Sequence, residues 1–223
     1  MGVGAVSITG KQVGVTGEQQ RSVARHQRIL DAALDVFTGH GYRETTVDHI
    51  ASASHTSKGG VYFHFPNKNA IFDALLRRTA ILLMSRVEAA IARAPDPLAR
   101  VDAALVTVLR LFAEHRTLAR LFLVEAPGAG PEFYAAVTAM HGDFARLIAR
   151  HLEEAVAAGA IPPLDTALAG AVWFGALNEV VTRWVQTDQP RQLEDVYPAL
   201  RALLLRSIGA PVGPPEEESR WPR

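Results

Sequence analysis

Residues 45–76 read TTVDHIASASHTSKGGVYFHFPNKNAIFDALL, and the punctuation of this stretch decides the fold. The spacing predicts a short helix over Thr46–Ala53, with Thr45 as its N-cap and Asp48 as a carboxylate near the positive helix end. A three-residue turn, Ser54-His55-Thr56, leads to a second short helix, Ser57–Phe63. Pro66 breaks the chain, and Asn67 caps a long helix from Lys68 to about Ala94 that ends at Pro95-Asp96-Pro97. Upstream, Ile29, Ala33, Val36 and Phe37 recur at helical spacing, with Leu30 and Leu34 widening the stripe. This predicts an amphipathic helix over about Arg21–His40, closed by Gly41 in a left-handed conformation. Two short helices joined by a tight turn behind a longer one make a helix-turn-helix, whose second helix lies in the major groove of DNA.

Two local features bear on that reading. Gly59 and Gly60 sit inside so short a helix that each costs about 1 kcal/mol relative to alanine. Either the bare backbone lets the helix approach a phosphate or base edge closely, or Ser54–Gly60 is merely a loop. Lys68 lies in the first turn of the long helix, where it opposes the macrodipole by roughly 0.3–1 kcal/mol. A bound phosphate would reverse that sign, whereas an exposed lysine bent into solvent would simply avoid it.

With its Thr-Thr pair, Ile-Ala, Ser-Lys-Gly, Tyr and Phe-Pro-x-Lys, the stretch resembles the DNA-binding domain of the tetracycline-repressor (TetR) family. Ile29-Leu30-Asp31-Ala32-Ala33, Phe37 and Gly41-Tyr42 match that family's first helix, so the resemblance covers about residues 21–76. One departure stands out: the family's Ala-Gly-Val turn is Ser54-His55-Thr56 here. The resemblance implies that Thr45 and Thr46 hold a phosphate, that Ser57, Lys58 and Gly59 open the recognition helix, and that Tyr62 binds phosphate with His64 beside it. It implies that Lys68 grips the backbone from the long helix. Phosphate contacts position a protein and base contacts specify the sequence, so Lys58 is the candidate for guanine O6/N7. Val61, Phe65 and Phe72 read as core. The string Tyr62-Phe63-His64-Phe65 is also similar to the butyrolactone-receptor branch, but it lies in the head and says little about a ligand.

The rest of the chain is helical in pattern, over about 98–115, 117–126, 131–158, 164–186 and 193–208, separated by Pro- and Gly-bearing breaks. The expected fold class is all-α, about nine helices. Residues 1–20 read as a disordered extension, 21–67 as the helix-turn-helix domain, 68–208 as an effector-binding and dimerisation domain, and 209–223 as a loose Pro-rich tail.

In the TetR family the last two helices pair with a second subunit. Ala171, Gly175, Asn178 and Thr182 form a stripe of mostly small residues suited to that homodimer interface, although an intramolecular role fits the same spacing. A dimer is favoured because a two-fold pair of heads reads a palindrome. Candidate effector contacts are Met84, Phe112, Arg120, Phe122, His141, Phe144, Trp173 and Leu177. Such an apolar set is more often core than cavity, and the resemblance leaves a lipophilic effector open.

Composition bounds the alternatives. Hydrophobic residues make up 48% and charged residues 21%, as in ordinary globular proteins. The absence of cysteine excludes thiol catalysis and zinc-thiolate sites. The formal net charge is zero, yet residues 1–78 hold 9 Lys+Arg against 6 Asp+Glu, and five of the eight histidines. A mildly basic head on an acidic body suits a polyanion touching one end. The first twenty residues have Lys11 as their only basic residue and no continuous apolar core, so no secretory signal is expected. No apolar run is long enough for a membrane span, and a cytoplasmic location is expected. No phosphate loop, nucleophile elbow or His-Glu-x-x-His motif is present, so no catalytic residue, metal or cofactor is expected. The leading expectation is a ligand-responsive regulator, a repressor by family habit, that binds double-stranded DNA as a dimer and is released by a small effector. The rival readings are a DNA-binding module without effector control and an all-helical enzyme.

Overall fold

The computed structural model describes residues 17–126 and 130–213, and nine α-helices run through them. They are α1 (Gly17–Glu44), α2 (Val47–Ala53), α3 (Lys58–His64), α4 (Lys68–Ile91), α5 (Pro97–Glu114), α6 (Arg116–Arg120), α7 (Pro131–Ala157), α8 (Thr166–Thr187) and α9 (Tyr197–Ser207). A π-turn, Leu121–Glu125, continues α6, and a 3₁₀ turn, Leu193–Val196, leads into α9.

Local chemistry explains most of the boundaries. The chain swings out of α1 at Gly41, whose φ of 77° and ψ of 165° suit glycine. Asn67, Asp96 and Asp165 each accept a hydrogen bond from an amide in the first turn of α4, α5 and α8. At the head, Thr46 rather than Thr45 caps α2, its hydroxyl accepting from the amide of His49 at 3.2 Å. In the turn between α2 and α3, His55, which stands where the resembled turn has glycine, takes a left-handed φ of 51°. The turn survives the substitution at the cost of local strain, about 1–2 kcal/mol for a non-glycine residue.

Both ends of the described chain depart from expectation. The helix begins at Gly17, inside the expected disordered extension, where Arg21 Nε donates to the Gly17 carbonyl at 3.1 Å and ties down the first turn. At the other end Ala210 is buried and the Gly213 carbonyl accepts from Arg201 Nη1 at 2.8 Å, so the first residues of the expected tail pack on α9. Residues 1–16 and 214–223, on which the rest of those expectations fall, lie outside the described residues.

Two apolar cores organise the molecule. One gathers Ile29, Phe37, Ile50, Val61, Phe65 and Phe72 from the head, and it continues through Leu121, Phe122, Phe133 and Val137 of the body. The second lies among α5, α7, α8 and α9 around Leu109, Leu152, Trp173, Trp184 and Leu204. α7 and α8 approach closely at Gly170, where a Cβ would stand 2.5 Å from the Ala145 carbonyl oxygen. Only glycine allows that crossing. No helix among the described residues is long and apolar enough to cross a membrane.

Candidate functional site

In the head, α3 turns Lys58, Gly59, Tyr62 and Phe63 to solvent while Val61 and Phe65 anchor it in the core. Helical spacing sets Tyr62 above Lys58 and Phe63 above Gly59, so these four residues share one outward face. Ser57 caps α3, accepting from the Gly60 amide at 3.1 Å, and remains exposed. The two glycines have different reasons to be there. A Cβ on Gly60 would lie 2.8 Å from Thr56 Cγ2, so packing requires that glycine. A Cβ on Gly59 would meet nothing within 4 Å, so nothing in the fold calls for it.

Lys58 Nζ lies 2.8 Å from Asp48 Oδ2 on α2, and this carboxylate raises the lysine's pKa. Both side chains are exposed, and such pairs are weak enough for a polyanion to displace. Phe63, 80% exposed, is the residue on this face that the sequence reading passed over. Its position four residues after Gly59 was the available signal.

Three expected DNA contacts are differently engaged. Thr45 is buried, and its hydroxyl donates to the Gly41 carbonyl at 2.8 Å, closing the α1–α2 corner instead of facing a phosphate. Lys68 Nζ donates to the carbonyls of Tyr42 and Thr45 at 2.8 Å each and of Arg43 at 3.3 Å. Its three hydrogens cap the end of α1. His64 turns its Nε2 inward without a partner and packs beside His26 of α1. Burial, helped by His26 and Arg25, lowers its pKa.

The body contains an apolar cavity of ≈ 170 Å³ among α4, α5, α7 and α8, far above the roughly 10–15 Å³ that one water needs. Phe112, Phe122, His141, Phe144, Trp173 and Leu177 line it, as the sequence suggested. Met84 and Arg120 do not. Each follows an inward residue, Leu83 or Ala119, and is rotated about 100° away from it. Burial lowers the pKa of His141. Phe122 lies between the two functions: it lines the cavity, and its ring centroid is 5.9 Å from that of Phe72 in the head core. Close by, Glu125 Oε2 accepts from the Tyr42 amide at 3.1 Å, where α1 bends.

The sequence reading also missed Arg100 and His151 in the cavity wall. Each stands on an apolar i, i+4 row, Arg100-Ala104-Val108-Phe112 and Leu147-His151-Ala155, and a polar residue on such a row was the clue.

The comparisons with known proteins follow this division of the chain. Residues 29–75 match the family model of bacterial regulatory proteins of the tetR family, and residues 94–208 match the tetracyclin repressor-like C-terminal domain. The chain belongs to the TetR family. Among its relatives, the HTH-type transcriptional regulator YhgD of Bacillus subtilis is 24% identical over 85% of this chain and 99% of its own. The fatty acid metabolism regulator protein of the same species is 25% identical over 82% of this chain and 95% of its own. The crystal structure of the transcriptional regulator FadR from Bacillus subtilis, in complex with stearoyl-CoA, superposes with a TM-score of 0.74 at 26% identity. That match covers 82% of this chain and 99% of FadR. As a TetR-family protein, the chain is a DNA-binding transcriptional regulator that responds to a ligand.

The last two long helices, α8 and α9, expose Leu168, Val172 and Leu203. Ala171 and Gly175 share that outward face, and a Cβ on Gly175 would meet nothing within 4 Å. Asn178 and Thr182, assigned to the same stripe from sequence, do not face outward. Asn178 lines the cavity, and Thr182 is half-buried with its hydroxyl turned in. The exposed face is centred on Leu168, Gly175 and Glu179, which leaves those two at its inner edge. Towards that end α6 also packs in, Arg116 donating to the Trp184 carbonyl at 3.1 Å.

Proposed function

We propose that this regulator binds a palindromic duplex as a homodimer and releases it when a long-chain acyl compound fills the body cavity. The observation that carries the proposal is Phe122, shared by the cavity wall and the core that holds α1 and α4 in the head. A ligand that moves Phe122 acts on the bend of α1 through the π-turn and Glu125. The cavity lining runs along α4 from Leu76 to Ile91, a span of fifteen residue steps. At about 1.5 Å per residue this is roughly 22 Å, whereas one acyl chain fills about half of a roughly 30 Å bilayer core. The complex of the related FadR with stearoyl-CoA supports the same ligand class.

In this reading Ser57, Lys58, Gly59 and Tyr62 meet the DNA from α3, and Thr46 meets it from the start of α2. Lys58 reaches a guanine edge, and Phe63 packs against a thymine methyl. The outward face of α8 and α9, with Ala171 and Gly175, joins a second subunit. Residues 21–67 act as the DNA-binding unit and 68–208 as the effector-binding and dimerisation unit. Repression in the cytoplasm follows the family habit, and the chain is no enzyme.

Selection from random duplexes should recover a palindrome that the protein binds in a salt-sensitive manner. Stearate or stearoyl-CoA should then displace it. Absence of salt-sensitive duplex binding, or displacement by neither compound, would overturn the proposal. A Leu168→Asp/Val172→Asp variant should sediment as a monomer, and a dimer of unchanged affinity would refute the assigned face.

A further inference from the structure

We infer that Thr79, His141 and Asn178 form a polar subsite at the end of the effector cavity nearest the DNA-binding head, and that it takes a hydroxyl group on the distal part of an acyl chain. The inference rests on the acyl reading of the cavity and adds the chemistry of the chain itself.

Three helices bring these residues to one end. α4 leaves the head, and its lining residues begin at Leu76 and Thr79. α7 also starts at the head, where the Phe133 ring lies 5.1 Å from that of Phe72, and its lining begins at Met140 and His141. α8 runs the opposite way. An added Cβ on Gly170 would meet Ala145 and Ala149, whereas Phe174, one turn on, meets the His141 ring at 4.8 Å between centroids. Asn178 is one turn further along α8, which keeps it beside the head-side end of the α7 lining. Leu76 and Phe122, 2% and 7% exposed, wall this end off against the head core.

Each of the three lines the cavity, and none makes a hydrogen bond within the protein among the described residues. Their polar atoms are not sealed in: unlike Arg100 Nε and His151 Nε2, they keep accessible surface. Plain hydrocarbon would cover these atoms without pairing them, which costs more than leaving them wet. The group they suit is uncharged. Arg100, at the far end, is the one Lys, Arg, Asp or Glu in the lining, so a carboxylate pushed to the head-side end would be buried without a counter-charge. A hydroxyl both donates and accepts. It matches the Asn178 amide, the Thr79 hydroxyl and the His141 ring, whichever ring nitrogen carries the hydrogen. The ionic head of the ligand stays at the other end, where the Arg100 side chain is 35% exposed. Between the levels of His151 and His141, α7 climbs about 15 Å at the helical rise, as far as one acyl chain reaches into a roughly 30 Å bilayer core. The hydroxyl therefore belongs on the distal part of the chain.

Titration calorimetry of the full chain with two pairs of acids tests the assignment: palmitate against ω-hydroxypalmitate, and oleate against ricinoleate, which adds one mid-chain hydroxyl. In the better pair the hydroxy acid should bind about fivefold or more tightly than its parent, the usual worth of one neutral hydrogen bond. The double change His141→Phe/Asn178→Leu should bring that ratio to unity. Taking the ratio within each protein cancels any general loss of affinity, and thermal melts check folding. Thr79→Val, of nearly equal volume, should lower the same ratio and serves if the double variant does not fold. Hydroxy acids that bind no better than their parents, or a ratio unchanged by these substitutions, would overturn the subsite while leaving the acyl reading intact. Failure of all four acids to bind would refute the acyl reading and the subsite with it.

Discussion

Lys68 and Tyr42 are joined twice: the ammonium donates to the Tyr42 carbonyl at 2.8 Å and lies 4.4 Å from the centroid of the Tyr42 ring. Burial lowers the lysine's pKa, and Glu44 partly opposes this. Lys68→Met should therefore destabilise the protein by about 1.5–3 kcal/mol, the usual worth of hydrogen bonds to a charged group. Urea unfolding measures the loss. The slope of log affinity against log salt for the operator should stay near that of the wild type. A loss of about 1 in that slope with unchanged stability would return Lys68 to the phosphate backbone.

Gly59 separates folding from binding. Because an added Cβ meets open space, Gly59→Ala should raise stability by about 0.4–1 kcal/mol through chain entropy and helix propensity. The same methyl would stand on the face carrying Lys58, Tyr62 and Phe63, and operator affinity should fall at least about tenfold. Gly59→Leu should abolish binding in a folded chain. Gly60→Ala, which pushes against Thr56, should instead lower the melting temperature. Normal DNA binding by Gly59→Leu would remove the case for close approach.

The buried pair of Asp102 on α5 and Arg201 on α9 should behave as one unit. The two residues are 1% and 6% exposed, and Arg201 Nη2 donates to Asp102 Oδ2 at 3.0 Å. Asp102→Ala leaves an uncompensated buried cation and should cost about 3–5 kcal/mol by chemical denaturation. The double change Asp102→Leu/Arg201→Met should cost much less. A double variant as unstable as the single one would show that the pair contributes net stability.

Acid should weaken the fold through two half-buried histidines. The pKa values of His64 and His141 are both lowered from 6.5, chiefly by burial. Well above pH 6.5 the rings are neutral in folded and unfolded chains alike, and they contribute no pH dependence. As pH falls below 6.5 the unfolded chain takes up protons first, so stability drops until the folded rings titrate too. The melting temperature should fall between pH 7 and 5, and less steeply in a His64→Gln/His141→Gln variant. An unchanged slope would assign the acid sensitivity to other groups.

The helices, their breaks and the helix-turn-helix were legible because each rests on local chemistry. Apolar residues at a period of 3.6, a capping Asn or Asp and a proline act within a few residues of chain. The family motif was legible for the same reason, being one contiguous stretch. Which way a side chain faced was legible only where a single periodic stripe decided it, as for Val61, Phe65 and Phe72. Thr45 and Thr46 are neighbours with the same hydroxyl, and the sequence had no means to tell which one turned into the α1–α2 corner.

The order of the helices and the TetR family thus came from the sequence alone, since local propensity and a contiguous motif suffice for them. The tertiary structure alone decided that Lys68 caps α1, that Gly170 permits the α7–α8 crossing, and that Asn178 looks inward while Gly175 looks out. It alone brought Arg100 and His151 to one cavity wall. These depend on contacts between segments far apart in the chain, whose distances no local periodicity encodes.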